Sequence, residues 1–152
     1  MQKKYISPFK PKKFVKFIPQ HFKIYTFNAG FKKYNNDLLV IIFDKLVPVS
    51  AVYTKSSTPS APVIWGKKIE QNLCKVLIVN SGNANSFTGK KGLKAINNYI
   101  KVASNLFNCK VNEVFVSSTG VIGEQLDPDL IINKLNLIKN TSSKNILEAA
   151  KA

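Results

Sequence analysis

Twice between Cys74 and Asn140 the chain carries a short apolar stretch into a polar, glycine-bearing turn and on into a segment of helical period. Residues 74–80 are mostly apolar and β-branched, and the run breaks at Ser81-Gly82. From about Thr88 to Phe107, Leu93, Ile96, Ile100, Val102, Ala103 and Leu106 fall largely on one side of a helix, while Lys90, Lys91, Lys94, Asn97, Asn98 and Lys101 cover the other. The second round predicts a strand over 113–117, a Ser/Thr/Gly cluster, and a helix from Asp127 or Pro128 to about Lys139. Proline suits a first helical turn, and Asp127 and Asp129 face the positive end of the helix dipole. A chain that alternates in this way folds as an α/β layer structure, and functional groups concentrate on the loops that leave its strands.

Upstream the pattern is simpler. Residues 37–44 read as a strand, with Leu38, Leu39, Val40, Ile41, Ile42 and Phe43 in unbroken succession. Lys45-Leu46 reads as a tight connection, and 47–54 as the hairpin partner of that strand. A loop rich in Ser, Thr and Pro over 56–62 leads to a short helix over 62–71, and a last helix starts after Thr141 and still runs at residue 152. Residues 1–36 hold nine lysines and no acid. They read as a basic arm leading into the first strand, with the arm proper at 1–21 and the α/β part at 22–152. The arm lacks the apolar core and cleavage site of a secretory signal.

The formal charge of +15 comes entirely from lysine, for the chain has no arginine. Specific readers of nucleic acid use arginine for bidentate contacts to guanine and for stacking. A lysine-only excess reads instead as a solvated surface, suited to an acidic partner that includes the rest of its own protein. Non-specific phosphate binding, as a basic nucleic-acid-binding module, is the competing reading, and an inactive remnant is a third. No apolar run approaches the roughly 18–20 residues a membrane-spanning helix needs, so no membrane partner is expected. Cys74 and Cys109 stand in no metal-ligand spacing and His21 is the only histidine. No metal site is expected, and the cysteines read as reduced structural thiols of a cytoplasmic protein.

Two loops have compositions that could carry chemistry. Asn80-Ser81-Gly82-Asn83-Ala84-Asn85, with Thr88-Gly89 and Gly92 beyond it, is either a structural turn or a polar nest that holds a substrate or braces a second loop. Its glycine spacing is neither that of a dinucleotide-binding turn nor that of a Walker loop. Ser117-Ser118-Thr119-Gly120-Val121-Ile122-Gly123-Glu124 places hydroxyls and then a glycine directly after a strand. That order allows a side-chain O–H and a backbone N–H to meet at one point, which is what an oxyanion hole requires. A capped turn is the structural alternative. Ser117 or Ser118 as nucleophile is another, but neither a nearby histidine nor a G-x-S-x-G elbow accompanies them.

Together the two loops resemble the ornithine acetyltransferase family, the ArgJ proteins of arginine biosynthesis. The residues that carry the likeness are Asn80 to Asn85 with Thr88-Gly89, and Ser118-Thr119-Gly120-Val121-Ile122-Gly123-Glu124. Support comes from Gly30-Phe31-Lys32-Lys33, Asp37-Leu38, Ala51-Val52-Tyr53-Thr54 and Ala61-Pro62-Val63, so the likeness runs from about residue 22 to the end. Phe31 departs from it, standing where isoleucine is common.

The resemblance implies a layered αββα fold of the N-terminal-nucleophile-like type, incomplete in this chain. It implies acetyl transfer from N2-acetylornithine to glutamate, with acetyl-CoA as a further donor in some members and no other cofactor. Family precursors cleave before a threonine whose new N-terminus carries the acetyl group, and the resulting α and β chains assemble as a heterotetramer of two of each. The family's oxyanion hole falls on Thr119 and Gly120, and no role carries over to Asn80, Ser81, Gly82, Asn83 or Asn85, which are expected to support the site. Family members continue into Thr-Thr-Asp and Lys-Gly-Ser-Gly segments and an Ala-Thr junction. The nucleophile and its substrate-binding residues are therefore expected outside these 152 residues, with this chain an α-chain portion that is inactive alone.

Overall fold

The computed structural model describes residues 20–152. Strands β1 (Phe22–Phe27), β2 (Leu38–Pro48), β3 (Leu73–Asn83) and β4 (Val114–Val121) form one sheet in chain order. The first three pair antiparallel, and β4 joins β3 in parallel. A parallel pair needs a long crossover, supplied by the 18-residue helix α2 (Gly89–Leu106). The shorter helices are α1 (Ala61–Gly66), α3 (Pro128–Leu137) and α4 (Ile146–Lys151).

The helical period read from the sequence sets the core. α2 turns Ile96, Tyr99, Ile100 and Ala103 inward into one cluster with Val40, Val76, Ile78 and Val114, joined by Ile131 and Leu135 of α3. Burying each of these larger side chains contributes roughly 1.5–3 kcal/mol before the cost of ordering the chain. Lys90, Lys91, Lys94 and Lys101 stay on the exposed side of α2. Asp127 caps α3, its carboxylate accepting the Asp129 N–H at 3.0 Å, with Pro128 in the first turn. A smaller cluster of Ile69, Cys74 and Phe115 lies apart from the main core. Burial pushes the thiols of Cys74 and Cys109 up to about 11, and both are free.

Several sequence expectations are corrected. Residues 47–54 are no hairpin partner: β2 continues through Lys45 and Leu46 to Pro48, with a register irregularity against β3 between Ile42 and Val47. A two-residue hairpin favours positive φ at its turn, and neither Lys45 nor Leu46 has the glycine or asparagine character for it. The first strand is not 37–44 but β1, which the lysine-rich reading of 1–36 concealed. The helix expected over 62–71 is shorter and stops at Gly66. Both glycine loops begin later than expected, because β3 runs on to Asn83 and β4 to Val121, paired rung by rung as Asn80 with Ser118, Ser81 with Thr119 and Gly82 with Gly120. Polar side chains end the hydrophobic pattern there, but the backbone ladder continues. Residues 1–19 of the basic arm lie outside the described residues.

Candidate functional site

The ends of β3 and β4 lie side by side, and the two glycine loops leave the sheet there. Asn80 is 1% exposed and both ends of its amide are engaged. Its Oδ1 accepts the Ser118 hydroxyl at 2.6 Å, and its Nδ2 donates to the Asn83 carbonyl at 2.8 Å. Asn83 donates to the Glu124 carbonyl at 3.2 Å and accepts the Asn85 N–H at 2.7 Å. Asn85 is fully buried at φ +44°, a left-handed position that asparagine tolerates. Its side chain donates to the Gly92 carbonyl at 3.2 Å and accepts the Thr88 hydroxyl at 2.8 Å. Gly92 makes room for this pair, since a Cβ there would strike Thr88 Oγ1 and Asn85 Oδ1. That close approach outweighs the ordinary cost of glycine within a helix.

Beneath the loop sits Asp37, 1% exposed, whose role the sequence did not show. Its carboxylate accepts the N–H groups of Ala29 at 2.6 Å, Gly30 at 3.2 Å and Lys32 at 2.7 Å, while its carbonyl accepts Ser81 N–H at 2.8 Å. An aspartate directly before an apolar strand and a few residues after a glycine is the local clue to such an anchor. Ser81 donates its hydroxyl to the Ala152 carbonyl at 2.9 Å, and Gly82 packs against Phe31.

The end of β4 is different. Side chains alternate along a strand, so Ser118 shares the helix-covered side with Asn80 while Ser117 and Thr119 face the opposite side. Both are exposed, and the Thr119 hydroxyl has no hydrogen-bond partner among the described residues. Gly120 follows at φ +132°, its α-carbon so close to the other strand that a Cβ would lie 2.6 Å from the Asn83 nitrogen. Two main-chain bonds extend the clamp, from Ala84 N–H to Val121 O and from Gly123 N–H to Ser86 O, each 2.9 Å. Past Ile122 opens a groove of about 630 Å³ whose walls include Ile64, Phe87, Thr88, Lys90 and Leu93. Thus Asn80, Ser81, Gly82, Asn83, Asn85, Thr119 and Gly120, all singled out in the sequence, come together here. No group of three or more metal-ligating side chains occurs among the described residues, and none of their helices is long and apolar enough to cross a membrane.

This sheet, its helical layer and its paired strand ends belong to the layered, N-terminal-nucleophile-like α/β class. Residues 23–152 match the profile of the ArgJ family. The chain belongs to that family. Its relatives include the arginine biosynthesis bifunctional protein ArgJ of Bartonella henselae, 44% identical over 133 residues, covering 86% of this chain and 32% of the relative. The Mesorhizobium japonicum protein of the same name is 42% identical over 151 residues, covering 97% of this chain and 37% of the relative. The chain thus spans about a third of the length of these curated relatives. Among solved structures, the ArgJ protein of Bacillus halodurans superposes with a TM-score of 0.72 at 33% identity, covering 76% of this chain and 62% of that one. The ornithine acetyltransferase of Mycobacterium tuberculosis, solved with ornithine, gives 0.70 at 26% identity, covering 77% and 65%. These relatives favour a biosynthetic enzyme over a basic nucleic-acid-binding module.

Proposed function

We propose that this chain is the α-chain portion of a glutamate N-acetyltransferase of arginine biosynthesis and supplies its oxyanion hole. A threonine beyond these residues attacks the acetyl carbonyl of N2-acetylornithine, giving up its hydroxyl proton to its own N-terminal amine. The negative charge that develops on the carbonyl oxygen is received by the Thr119 hydroxyl and the Gly120 N–H. Collapse of the tetrahedral species returns the proton to the departing amine, releases ornithine and leaves acetyl-threonine. The glutamate amine attacks that ester through the same oxyanion, yielding N-acetylglutamate and free threonine; acetyl-CoA is a second candidate donor. The portion carrying the nucleophile stays bound after autocatalytic cleavage, in a cytoplasmic assembly of two α and two β chains.

The observation that carries this reading is the exposed Thr119 hydroxyl, without a hydrogen-bond partner among the described residues, beside a glycine held against the neighbouring strand. A hydroxyl kept free at a tightly braced strand end is ready to donate without breaking an existing bond. The test uses the chain co-expressed with the portion that completes its relatives' length. Thr119→Ala is expected to lower acetyl transfer by roughly 10²–10³-fold. Unchanged turnover would remove Thr119 from the reaction.

A further inference from the structure

We propose that Asn80 and Ser118 form a positioning latch that sets the geometry of Thr119 and Gly120; this rests on the function proposed above. The latch is a short, half-buried bond, Ser118 Oγ–H to the buried Asn80 Oδ1 at 2.6 Å, on the rung directly before Thr119. Asn80 also holds the Asn83 carbonyl through Nδ2 at 2.8 Å, and Asn83 contributes the backbone against which Gly120 is stacked. One side chain therefore grips both halves of the contact that fixes Gly120. On β4 it holds the residue before Thr119, and on β3 it holds the turn that Gly120 touches. With both ends of the amide engaged, its orientation is fixed and neither strand can slide without breaking the Ser118–Asn80 bond.

The surroundings argue that this polar pair serves more than cohesion. On the same side of the sheet the preceding rungs are apolar, Val76 beside Val114 and Ile78 beside Val116. An apolar pair would suffice to continue that packing, and the backbone ladder already joins the strands. The polar rung occurs only where the exposed hydroxyl follows. A directional hydrogen bond adds what packing does not, namely a fixed register and direction. Small misplacement of a catalytic donor is costly, because the donor must meet the oxygen of the transition state and not that of the substrate. The latch should thus act on turnover and leave substrate affinity nearly unchanged.

The experiment compares three variants of this chain in the completed protein, reading kcat, KM and melting temperature for acetyl transfer. Ser118→Ala removes the latch and leaves Thr119 and Gly120 in place; kcat should fall about tenfold with KM within about twofold of wild type. Val116→Ala weakens packing two residues earlier in the same strand; it should lower the melting temperature more than Ser118→Ala does, with kcat within about twofold. Thr119→Ala serves as the reference for the site itself. Wild-type kcat in Ser118→Ala while Thr119→Ala is slow would overturn the latch and spare the proposed function. Equal loss of kcat in Val116→Ala and Ser118→Ala would also overturn it, by assigning the effect to strand stability. Wild-type turnover in Thr119→Ala would defeat the proposed function, and the latch with it.

Discussion

The neighbouring ends of β3 and β4 have similar compositions and opposite states. Both leave the sheet through Ser, Asn or Thr beside glycine. At the end of β3 every asparagine is buried and bonded within the protein: Asn80 to Ser118 and Asn83, Asn83 to Asn85 and Glu124, Asn85 to Thr88 and Gly92. At the end of β4 Ser117, Thr119 and Gly120 are exposed, and the Thr119 hydroxyl has no partner among the described residues. The difference teaches that composition marks a loop as unusual without saying what it does. A network that satisfies itself is scaffold, whereas a donor left open on that scaffold is available for chemistry.

The strongest test of this contrast is Gly120→Ala. A Cβ at φ +132° and 2.6 Å from the Asn83 nitrogen meets backbone, which cannot yield as a side chain would. A loss of about 3–5 kcal/mol is expected, read as a large drop in melting temperature. A wild-type melt would mean the two strand ends are not clamped. Asn85→Ala comes next. It strands the Thr88 hydroxyl, removes the amide's bond to the Gly92 carbonyl and puts alanine in a left-handed conformation, for about 2–4 kcal/mol. Chemical denaturation would register it as a lower midpoint at unchanged slope.

A smaller effect sharpens the contrast through pH. Burial raises the Cys74 thiol from 9.0 to about 11, so the folded state holds its proton more tightly than the unfolded state does. Its contribution is therefore complete below about pH 9 and is lost as pH rises toward about 11. Melts across that window should show declining stability, with a shallower decline in Cys74→Ala. Equal slopes would remove the thiol as the cause. The smallest stability effect belongs to Thr119→Ala, within about 0.5 kcal/mol of wild type, as for an exposed residue that holds nothing in place.

Much of the fold was legible because the hydrophobic pattern is strong where packing is strong. The period of Leu93, Ile96, Ile100 and Ala103 located α2, and Asp127 with Pro128 located the start of α3. β1 was hidden because its apolar residues sit in a lysine-rich stretch, although Ile24 and Tyr25 are buried. The strand ends were misjudged because backbone pairing continues beneath polar side chains and leaves no mark in the pattern. At the site, the glycine and hydroxyl content drew attention to Thr119 and Gly120, and family resemblance gave them a role. Asp37 left only a local clue in the sequence, and the Asn80–Ser118 bond left none. The first depends on a loop folding back over a carboxylate, and the second joins residues 38 apart in sequence.

The most direct test pairs Thr119→Ala with Asn85→Ala in the completed protein, measuring acetyl-transfer kcat and melting temperature for each. A free donor beside a self-satisfied scaffold predicts that Thr119→Ala loses roughly 10²–10³-fold in kcat at an unchanged melt, while Asn85→Ala melts well below wild type. A Thr119→Ala protein that melts early, or one that transfers acetyl groups at the wild-type rate, would contradict it.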